Sequence, residues 1–95
     1  AYISPPVQRA TRLLRRIAEG DTAQNMSRTA RALDINRTTL LRLLRTLEAE
    51  RFIESLGEGA GWRIGPGLIG LAAHAFAADD LAGIATPVLT QLAET

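Results

Sequence analysis

The chain has 95 residues, which leaves room for one small domain with an attached segment, and its hydrophobic fraction of 46% is enough for a core. It has no cysteine, which excludes disulfides and cysteine-based zinc sites, and no apolar run as long as a membrane span. We therefore expect a cytoplasmic protein with no membrane partner. The net charge of +1 conceals a segregation, because nine of the eleven arginines but only three of the ten acidic residues lie within residues 1–45. A basic first half indicates a polyanionic partner for that half.

The first predicted helix begins at Ser4-Pro5-Pro6 and is stopped by Gly20. Serine is a good N-cap, and proline is tolerated in a first turn because its missing N–H would be unpaired there. The apolar stripe predicted to face the core consists of Val7, Ala10, Leu14 and Ile17, flanked by Leu13 and Ala18. The far side carries Arg9, Arg12 and Arg16. Arg9 and Arg12 lie near the N-terminal end and are candidate phosphate contacts, whereas Arg15 and Arg16 are better explained as solvated.

A shorter second helix is predicted over residues 26–33, after a loop over residues 21–24, with Asn25 as its N-cap. Its predicted core residues are Met26, Ala30 and Leu33, and its predicted outward residues are Arg28 and Arg31. Residues 34–36 form the turn into the next helix. Asp34 tolerates the left-handed backbone that a helix end often needs, and Ile35 is expected to fill the space between the helices.

The longest amphipathic helix is predicted over residues 36–50, with Asn36 as its N-cap. One face is a stripe of Leu40, Leu43, Leu44 and Leu47, and the opposite face carries Thr38, Arg42, Arg45 and Ala49. A helix about 21 Å long fits a DNA major groove, and arginine suits guanine edges and phosphates. The alternative is a solvated helix face, because arginine is also a good helix former. Helix, three-residue turn and longer helix form the layout of a helix-turn-helix.

Two short strands are predicted after this helix, over residues 52–55 and 62–64, joined by the glycine-rich turn 56–61. A hairpin directly after a helix-turn-helix is a wing. The glycine run does not fit a nucleotide-binding loop, because it lacks the preceding long strand, the lysine and the following helix. The turn carries Glu58 and no basic residue, so we do not expect its tip to insert into a minor groove. Arg63, near the base, is the better candidate for a DNA contact.

A nearly uncharged helix is predicted from Pro66 to residue 78, with an apolar surface too wide to remain in solvent. Its candidate dimerisation residues are Leu68, Ile69, Leu71, Ala72, Ala75 and Phe76. We expect the identical helix of a second chain to cover them. Asp79-Asp80 is predicted to end this helix and to cap a last one over residues 81–94, whose apolar face has nothing left in the chain to cover it.

Several segments spread over nearly the whole chain follow the pattern of one known family. They are Val7-Gln8-Arg9-Ala10 with Leu13-Leu14, Ala30-Arg31-Ala32, Thr38-Thr39, Arg42 to Glu50, Trp62 to Leu68, Ala85 to Leu89, and Leu92-Ala93-Glu94. Together they resemble the N-terminal DNA-binding domain of the IclR family of bacterial transcriptional regulators. The chain departs from that pattern at Asp34, where a glycine is usual, and at Asn36, where proline is common. Thr29 replaces a usual apolar core residue and is expected to soften the helix packing.

The resemblance implies a mainly α fold with a small β-hairpin. Residues 1–65 would form a winged helix-turn-helix, residues 66–78 an apolar linker and dimerisation helix, and residues 79–95 the first helix of a missing effector domain. The implied function is a repressor or dual regulator that binds a palindromic site in double-stranded DNA as a homodimer or higher homo-oligomer, with helix 37–50 in the major groove. A small-molecule effector would bind only through the absent C-terminal domain, and no cofactor or metal is expected.

The resemblance also implies DNA contacts along the long helix, at Arg37, Thr38, Thr39, Leu41, Arg42 and Arg45. Arg42 is the first choice for a base edge, with Thr38 or Thr39 on a phosphate or a base. Leu41 has two equal interpretations, contact with a thymine methyl group or packing. Arg9, Arg12 and Arg63 complete the candidate DNA-binding set.

Two other functions compete with DNA binding. A winged helix that binds protein instead would suit Glu58 and the low net charge. An enzyme is not expected, because the lone His74 has no matching acid pattern and no catalytic triad or metal set can be assembled. The remaining carboxylates are better explained as solvated or paired with nearby arginines than as catalytic; they are Glu48, Glu50 and Glu54.

Overall fold

The computed structural model describes residues 2–77 and shows, within that range, four helices and a two-stranded antiparallel hairpin. The helices are α1 (Pro5–Ala18), α2 (Met26–Ala32), α3 (Arg37–Ala49) and α4 (Pro66–Ala77), and the strands are β1 (Ile53–Ser55) and β2 (Trp62–Ile64). This confirms the predicted winged helix-turn-helix of mainly α composition. Residue 78, the Asp79-Asp80 break and the predicted helix over residues 81–94 lie outside the described residues.

The two helices of the helix-turn-helix begin at the predicted asparagine caps. The Asn25 side chain accepts from the Arg28 backbone N–H at 3.1 Å, and that of Asn36 accepts from the Thr39 N–H at 2.7 Å. Each bond satisfies one of the donors that a first helical turn leaves unpaired. Ser4 occupies the cap position of α1, but its side chain makes no cap bond. Pro5 and Pro6 have no N–H, so α1 presents fewer donors for a cap to satisfy.

A single core joins the helices to the hairpin. It consists of Leu13, Ile17, Ala23, Ala30, Leu33, Leu40, Leu44, Leu47 and Ile53, with Leu14, Met26, Ile35, Leu43, Phe52, Trp62 and Ile64 packed around it. The predicted stripes of α2 and α3 are therefore confirmed. The prediction for α1 was wrong at Val7, which is 65% exposed, while Leu13 is fully buried. The reason is that Val7 faces a groove between the N-terminal part of α1 and the side of α3, and this groove is open to solvent.

The turn between α2 and α3 uses the left-handed backbone that was predicted for it. Asp34 has φ 56°, and the Ile35 N–H donates to the Ala30 carbonyl at 3.0 Å. Ile35 is half-buried and packs against the core, as expected. This turn sets how the end of α2 meets the start of α3.

The hairpin is tied to both the helix before it and the helix after it. Its register pairs Glu54 with Arg63 across the strands. The Gly67 N–H donates to the Arg51 carbonyl at 2.8 Å, and a Cβ added at Gly65 or Gly67 would lie 2.6 or 2.7 Å from that same oxygen. The chain therefore needs glycine at both positions to bring the start of α4 against the end of α3.

The fourth helix lies on the surface of the described structure. None of its residues is buried, and three of its large apolar side chains are more than two-fifths exposed, namely Ile69 at 60%, Leu71 at 56% and Phe76 at 42%. Leu68 and Ala75 are half-buried, and Ala72 is exposed. None of the four helices in the described range is both long enough and apolar enough to cross a bilayer.

The position of Arg51 gives a test of the link between α3 and β1. Arg51 has φ 60°, a conformation that a residue with a side chain adopts at a penalty of about 1–2 kcal/mol. We expect Arg51→Gly to raise the free energy of unfolding by about 0.5–1 kcal/mol, because glycine avoids that penalty but loses more backbone freedom on folding. Urea unfolding followed by the fluorescence of Trp62 measures the change.

Ala49→Gly is the matched control, since Ala49 is two residues earlier and still helical. There glycine should lower the free energy of unfolding by about 1 kcal/mol. A similar loss in both variants would contradict the assignment of strain to Arg51.

Candidate nucleic-acid interface

The outward face of α3 is set by the burial of its leucines. Leu40 and Leu44 are fully buried, which fixes the rotation of the helix about its own axis. On the opposite side Thr38, Arg42 and Arg45 are all exposed, as the helical period predicted. No ion pair within residues 2–77 engages either arginine. The face therefore offers two guanidiniums and a hydroxyl to a partner that carries hydrogen-bond acceptors.

The other proposed contacts on α3 lie at its start and on its flanks. Arg37, the first helical residue, is exposed, while Thr39 and Leu41 are half-buried. The Asn36 cap binds the backbone N–H of Thr39 and does not engage its hydroxyl. The partial exposure of Leu41 is compatible with both of its interpretations, packing and an apolar contact.

A carboxylate in the loop between α1 and α2 connects these two helices. Asp21 accepts from Arg16 Nε at 2.9 Å, from the Thr29 hydroxyl at 3.3 Å and from the Ala23 backbone N–H at 3.1 Å. Arg16 is thus paired with Asp21, so the expectation that it is merely solvated was wrong. The cause is the loop over residues 21–24, which returns Asp21 to the last turn of α1.

The same carboxylate explains how Thr29 is accommodated in the core. Thr29 is 1% exposed, and its hydroxyl donates to Asp21. No buried side-chain nitrogen or oxygen lacks a partner within residues 2–77. The threonine therefore joins α2 to the loop through a satisfied polar group, and the packing at this site depends on a hydrogen bond in addition to apolar contact.

The pKa of Asp21 reflects these contacts. Burial raises the pKa of the carboxyl, but the hydrogen bond from Ala23, the hydrogen bond and charge of Arg16, and the Thr29 hydroxyl outweigh burial. The pKa of Asp21 therefore lies below its ordinary value, and the group is ionised at neutral pH.

The wing is anchored at its base and carries negative charge. The Trp62 N–H donates to the Thr22 carbonyl at 2.8 Å, which holds β2 against the loop before α2. Arg63, a predicted DNA contact, donates through Nε to Glu54 Oε1 at 2.6 Å, and a second nitrogen of its guanidinium contacts the same oxygen. Glu58 at the tip is exposed. The structure thus leaves Arg63 paired with Glu54 within the hairpin.

Three arginines from three helices line one groove beside the start of α3. They are Arg9 of α1, Arg31 of α2 and Arg37 of α3, around a volume of about 580 Å³. Arg9 and Arg37 are among the predicted contacts, whereas Arg31 was predicted only to face outward. No local sequence pattern predicts that Arg31 lies near Arg37, because the turn over residues 34–36 sets the position of α2 relative to α3. Arg12 is exposed on α1 but does not line this groove.

Metal chemistry has no ligand set in this part of the molecule. Among residues 2–77, the histidine and acidic side chains form no group of three that could hold a metal ion. His74 is exposed on α4. The polar residues that the fold brings together are arginines and hydroxyls, which are donors suited to an anionic or hydrogen-bonding surface.

The pairing of Asp21 predicts a pH-dependent contribution to stability. Because its folded pKa is depressed, this contribution is present above the ordinary aspartate pKa of about 3.9 and is lost as pH falls through the lower folded value. We expect Asp21→Asn to lower the free energy of unfolding at pH 7 by about 1–3 kcal/mol, through the loss of charge-assisted hydrogen bonds. Urea unfolding at pH 7 and near pH 3 should show that the difference in the free energy of unfolding between wild type and Asp21→Asn is smaller in acid.

Asp34→Asn is the matched control, because Asp34 is exposed and forms no ion pair within residues 2–77. Asparagine also tolerates the left-handed backbone at that position. If the free energies of unfolding of wild type and Asp21→Asn differ by the same amount at both pH values, the loss of stability is not due to the charge of Asp21.

Comparison with known proteins identifies the family. A model of the IclR helix-turn-helix domain matches residues 6–57. The HTH-type transcriptional regulator TtgV of Pseudomonas putida is 30% identical over 88 residues, which are 93% of this chain and 33% of that protein. A crystal structure of an IclR transcriptional regulator from Alicyclobacillus acidocaldarius aligns with a TM-score of 0.65 and 36% identity, over 82% of this chain and 31% of that chain.

The chain spans about a third of the length of both relatives. The matched family is one of helix-turn-helix domains, which confirms that this domain is not an enzyme. The family match covers α1, the helix-turn-helix and the first strand of the wing, which together contain the arginines of the outward face of α3. The chain belongs to the IclR family of helix-turn-helix proteins.

Proposed function

We propose that this domain is the DNA-binding part of a transcriptional regulator and that it recognises specific base sequences with α3 in the major groove. The observation that carries the proposal is the face of Thr38, Arg42 and Arg45, which is held outward by the buried leucine stripe. Membership of a helix-turn-helix family supports DNA as the partner. A regulator of this kind would act in the bacterial cytoplasm, where the DNA is.

Arg42 is the residue to which we assign base readout. It lies in the middle of the outward face, and arginine donates two parallel hydrogen bonds to the O6 and N7 atoms of guanine. Thr38 or Thr39 would contact a phosphate or a base edge, and Leu41 a thymine methyl group. The remaining arginines of the set, Arg9, Arg12, Arg37 and Arg45, would contact phosphates, which fix the register of a protein on DNA.

Arg63 would contact DNA only if a phosphate replaced Glu54 as the partner of its guanidinium. Its guanidinium is paired with Glu54, and both side chains are well exposed. Exposed ion pairs stabilise a protein by about 1 kcal/mol or less, so a DNA phosphate could replace the carboxylate. The acidic wing tip would face away from the phosphate backbone.

We further propose that the regulator is a homodimer on a palindromic operator. The exposed apolar side chains of α4 support this, since a twofold partner would bury the same surface on both chains. Two copies of α3 would then contact half-sites about one helical turn apart. Repression or dual regulation, and control by a small-molecule effector through another domain, are further parts of this proposal and rest on membership of the IclR family.

A winged-helix module that binds protein is the second candidate. The acidic wing favours it, because Glu58 is exposed and Glu54 neutralises the arginine beside it. Its signature would be capture of a specific partner protein, with no affinity for any DNA duplex even at low salt. Salt-dependent binding to duplex DNA would exclude a module that binds protein and no DNA.

Replacement of Arg42 tests sequence recognition. We expect Arg42→Ala to weaken binding to a selected operator by about 1–3 kcal/mol more than binding to random duplex. Fluorescence anisotropy titration with both duplexes measures the two losses. Arg15→Ala is the control, because it removes the same charge from an exposed site on α1 that lies outside the proposed contacts. Equal losses on both duplexes would show that Arg42 contacts only the backbone.

Replacement of Phe76 tests dimerisation. We expect wild type to sediment as a dimer and Phe76→Asp to sediment as a monomer in analytical ultracentrifugation, because a buried charge opposes association. Leu56→Asp is the matched control, since Leu56 on the wing is as exposed as Phe76, at 42% each. A wild-type chain that stays monomeric at high concentration would contradict the proposed role of α4.

A further inference from the structure

The groove lined by Arg9, Arg31 and Arg37, here called the three-arginine groove, has the composition of an anion site. Each arginine comes from a different helix, since α1, α2 and α3 each contribute one. The hydroxyl-bearing residues Ser27 and Thr39 line the same groove. Guanidiniums and hydroxyls all donate hydrogen bonds, and arginine in particular matches the geometry of phosphate oxygens.

The net charge of the side chains that line this groove is positive. Within residues 2–77, none of the three arginines forms an ion pair. Asp34 is the acidic residue among the lining side chains, so three guanidiniums stand against one carboxylate. By contrast, Arg16 and Arg63 each have a carboxylate partner within 4 Å. These three arginines, like the others without an ion pair in the described range, are therefore available to an external anion.

The three helices that line the groove are held together by contacts within the protein. Asp21 links α1 to α2 through Arg16 and Thr29. The Asp34 and Ile35 N–H groups donate to carbonyls of α2 at 3.1 and 3.0 Å, which fixes the start of α3 relative to Arg31. Binding in this groove therefore does not have to order the backbone that carries the arginines.

The location of the groove points to DNA as the source of the anion. Arg37 lines the groove and directly precedes Thr38, the first residue of the outward face of α3. An anion in the groove therefore lies next to the N-terminal end of the helix that would enter the major groove. In B-DNA the phosphates border that groove on both sides.

We propose that the three-arginine groove binds one backbone phosphate of DNA at the edge of the operator half-site, with Arg31 as a contact in addition to Arg9 and Arg37. The inference rests on the proposed DNA-binding function and extends it to α2. Arg31 positions the protein on the duplex and does not select bases, since phosphates carry no sequence information.

The experiment compares Arg31→Gln with Arg15→Gln in the complete 95-residue chain. Anisotropy titrations against the operator and a random duplex, each at several salt concentrations, give the slope of log K against log salt. We expect Arg31→Gln to reduce the magnitude of the slope by about 0.9 for each bound subunit, the value for one phosphate contact, and thus by about 1.8 for a dimer. Binding to the operator and to the random duplex should weaken by the same factor. Arg15→Gln should leave the slope unchanged, and Arg31→Lys should retain it.

Neutral phosphates locate the contact. We would prepare a series of operators, each with one phosphate replaced by a methylphosphonate. At one position the replacement should weaken binding by wild type but not by Arg31→Gln or Arg9→Gln.

Asp34→Asn should strengthen binding to both duplexes, because it removes the carboxylate from the groove while keeping a residue that tolerates φ 56°.

The inference would be overturned if wild type and Arg31→Gln had equal salt slopes and if Arg31→Gln and Arg9→Gln were insensitive to no common phosphate position. The proposed function would remain intact in that case. A wild type that binds no duplex at low salt would overturn both. Binding of inorganic phosphate that is lost in Arg31→Gln, without DNA binding, would assign the groove to a small anion instead. Thermal unfolding of each variant confirms that the differences arise in a folded protein.

Discussion

The burial of Leu40 and Leu44 in the core shared with α1 and β1 is the contact on which the proposed recognition surface depends. Each fully buried leucine stabilises the fold by about 1.5–3 kcal/mol. A shift of α3 by one residue would rotate its side chains by about 100°, which would place arginine in the core. Apolar burial therefore sets both the stability of the domain and the direction in which Arg42 points. Substitutions that loosen this core should alter recognition without touching a DNA contact.

Local features of the sequence were enough to predict the helix-turn-helix. Asn25 and Asn36 marked the starts of two helices because a side-chain cap acts within three residues of the chain. The stripe of α3 was unambiguous because its outward side carries almost no apolar residue. In α1 the apolar residues fit two overlapping stripes, so periodicity alone could not choose between Val7 and Leu13. The elements that pack against α1 made that choice.

The polar part of the candidate site was less accessible to sequence reasoning. The bond between Asp21 and Thr29 joins residues eight positions apart through a loop, and the three-arginine groove gathers side chains from three helices. Neither arrangement follows from helical or strand period. The pairing of Glu54 with Arg63 follows from the hairpin register, which a six-residue glycine-rich turn does not determine by itself. Long-range contacts of this kind decide which arginines are available to a partner.

The glycines at the start of α4 have a mechanical consequence. Gly65 and Gly67 bring the backbone of α4 against the carbonyl of Arg51 so closely that no Cβ fits between them. Close-packed backbones shift as a unit, since side chains cannot absorb the strain. A displacement of α4 would therefore be passed through the Arg51 carbonyl to the end of α3, so that α4 would act as a lever on α3.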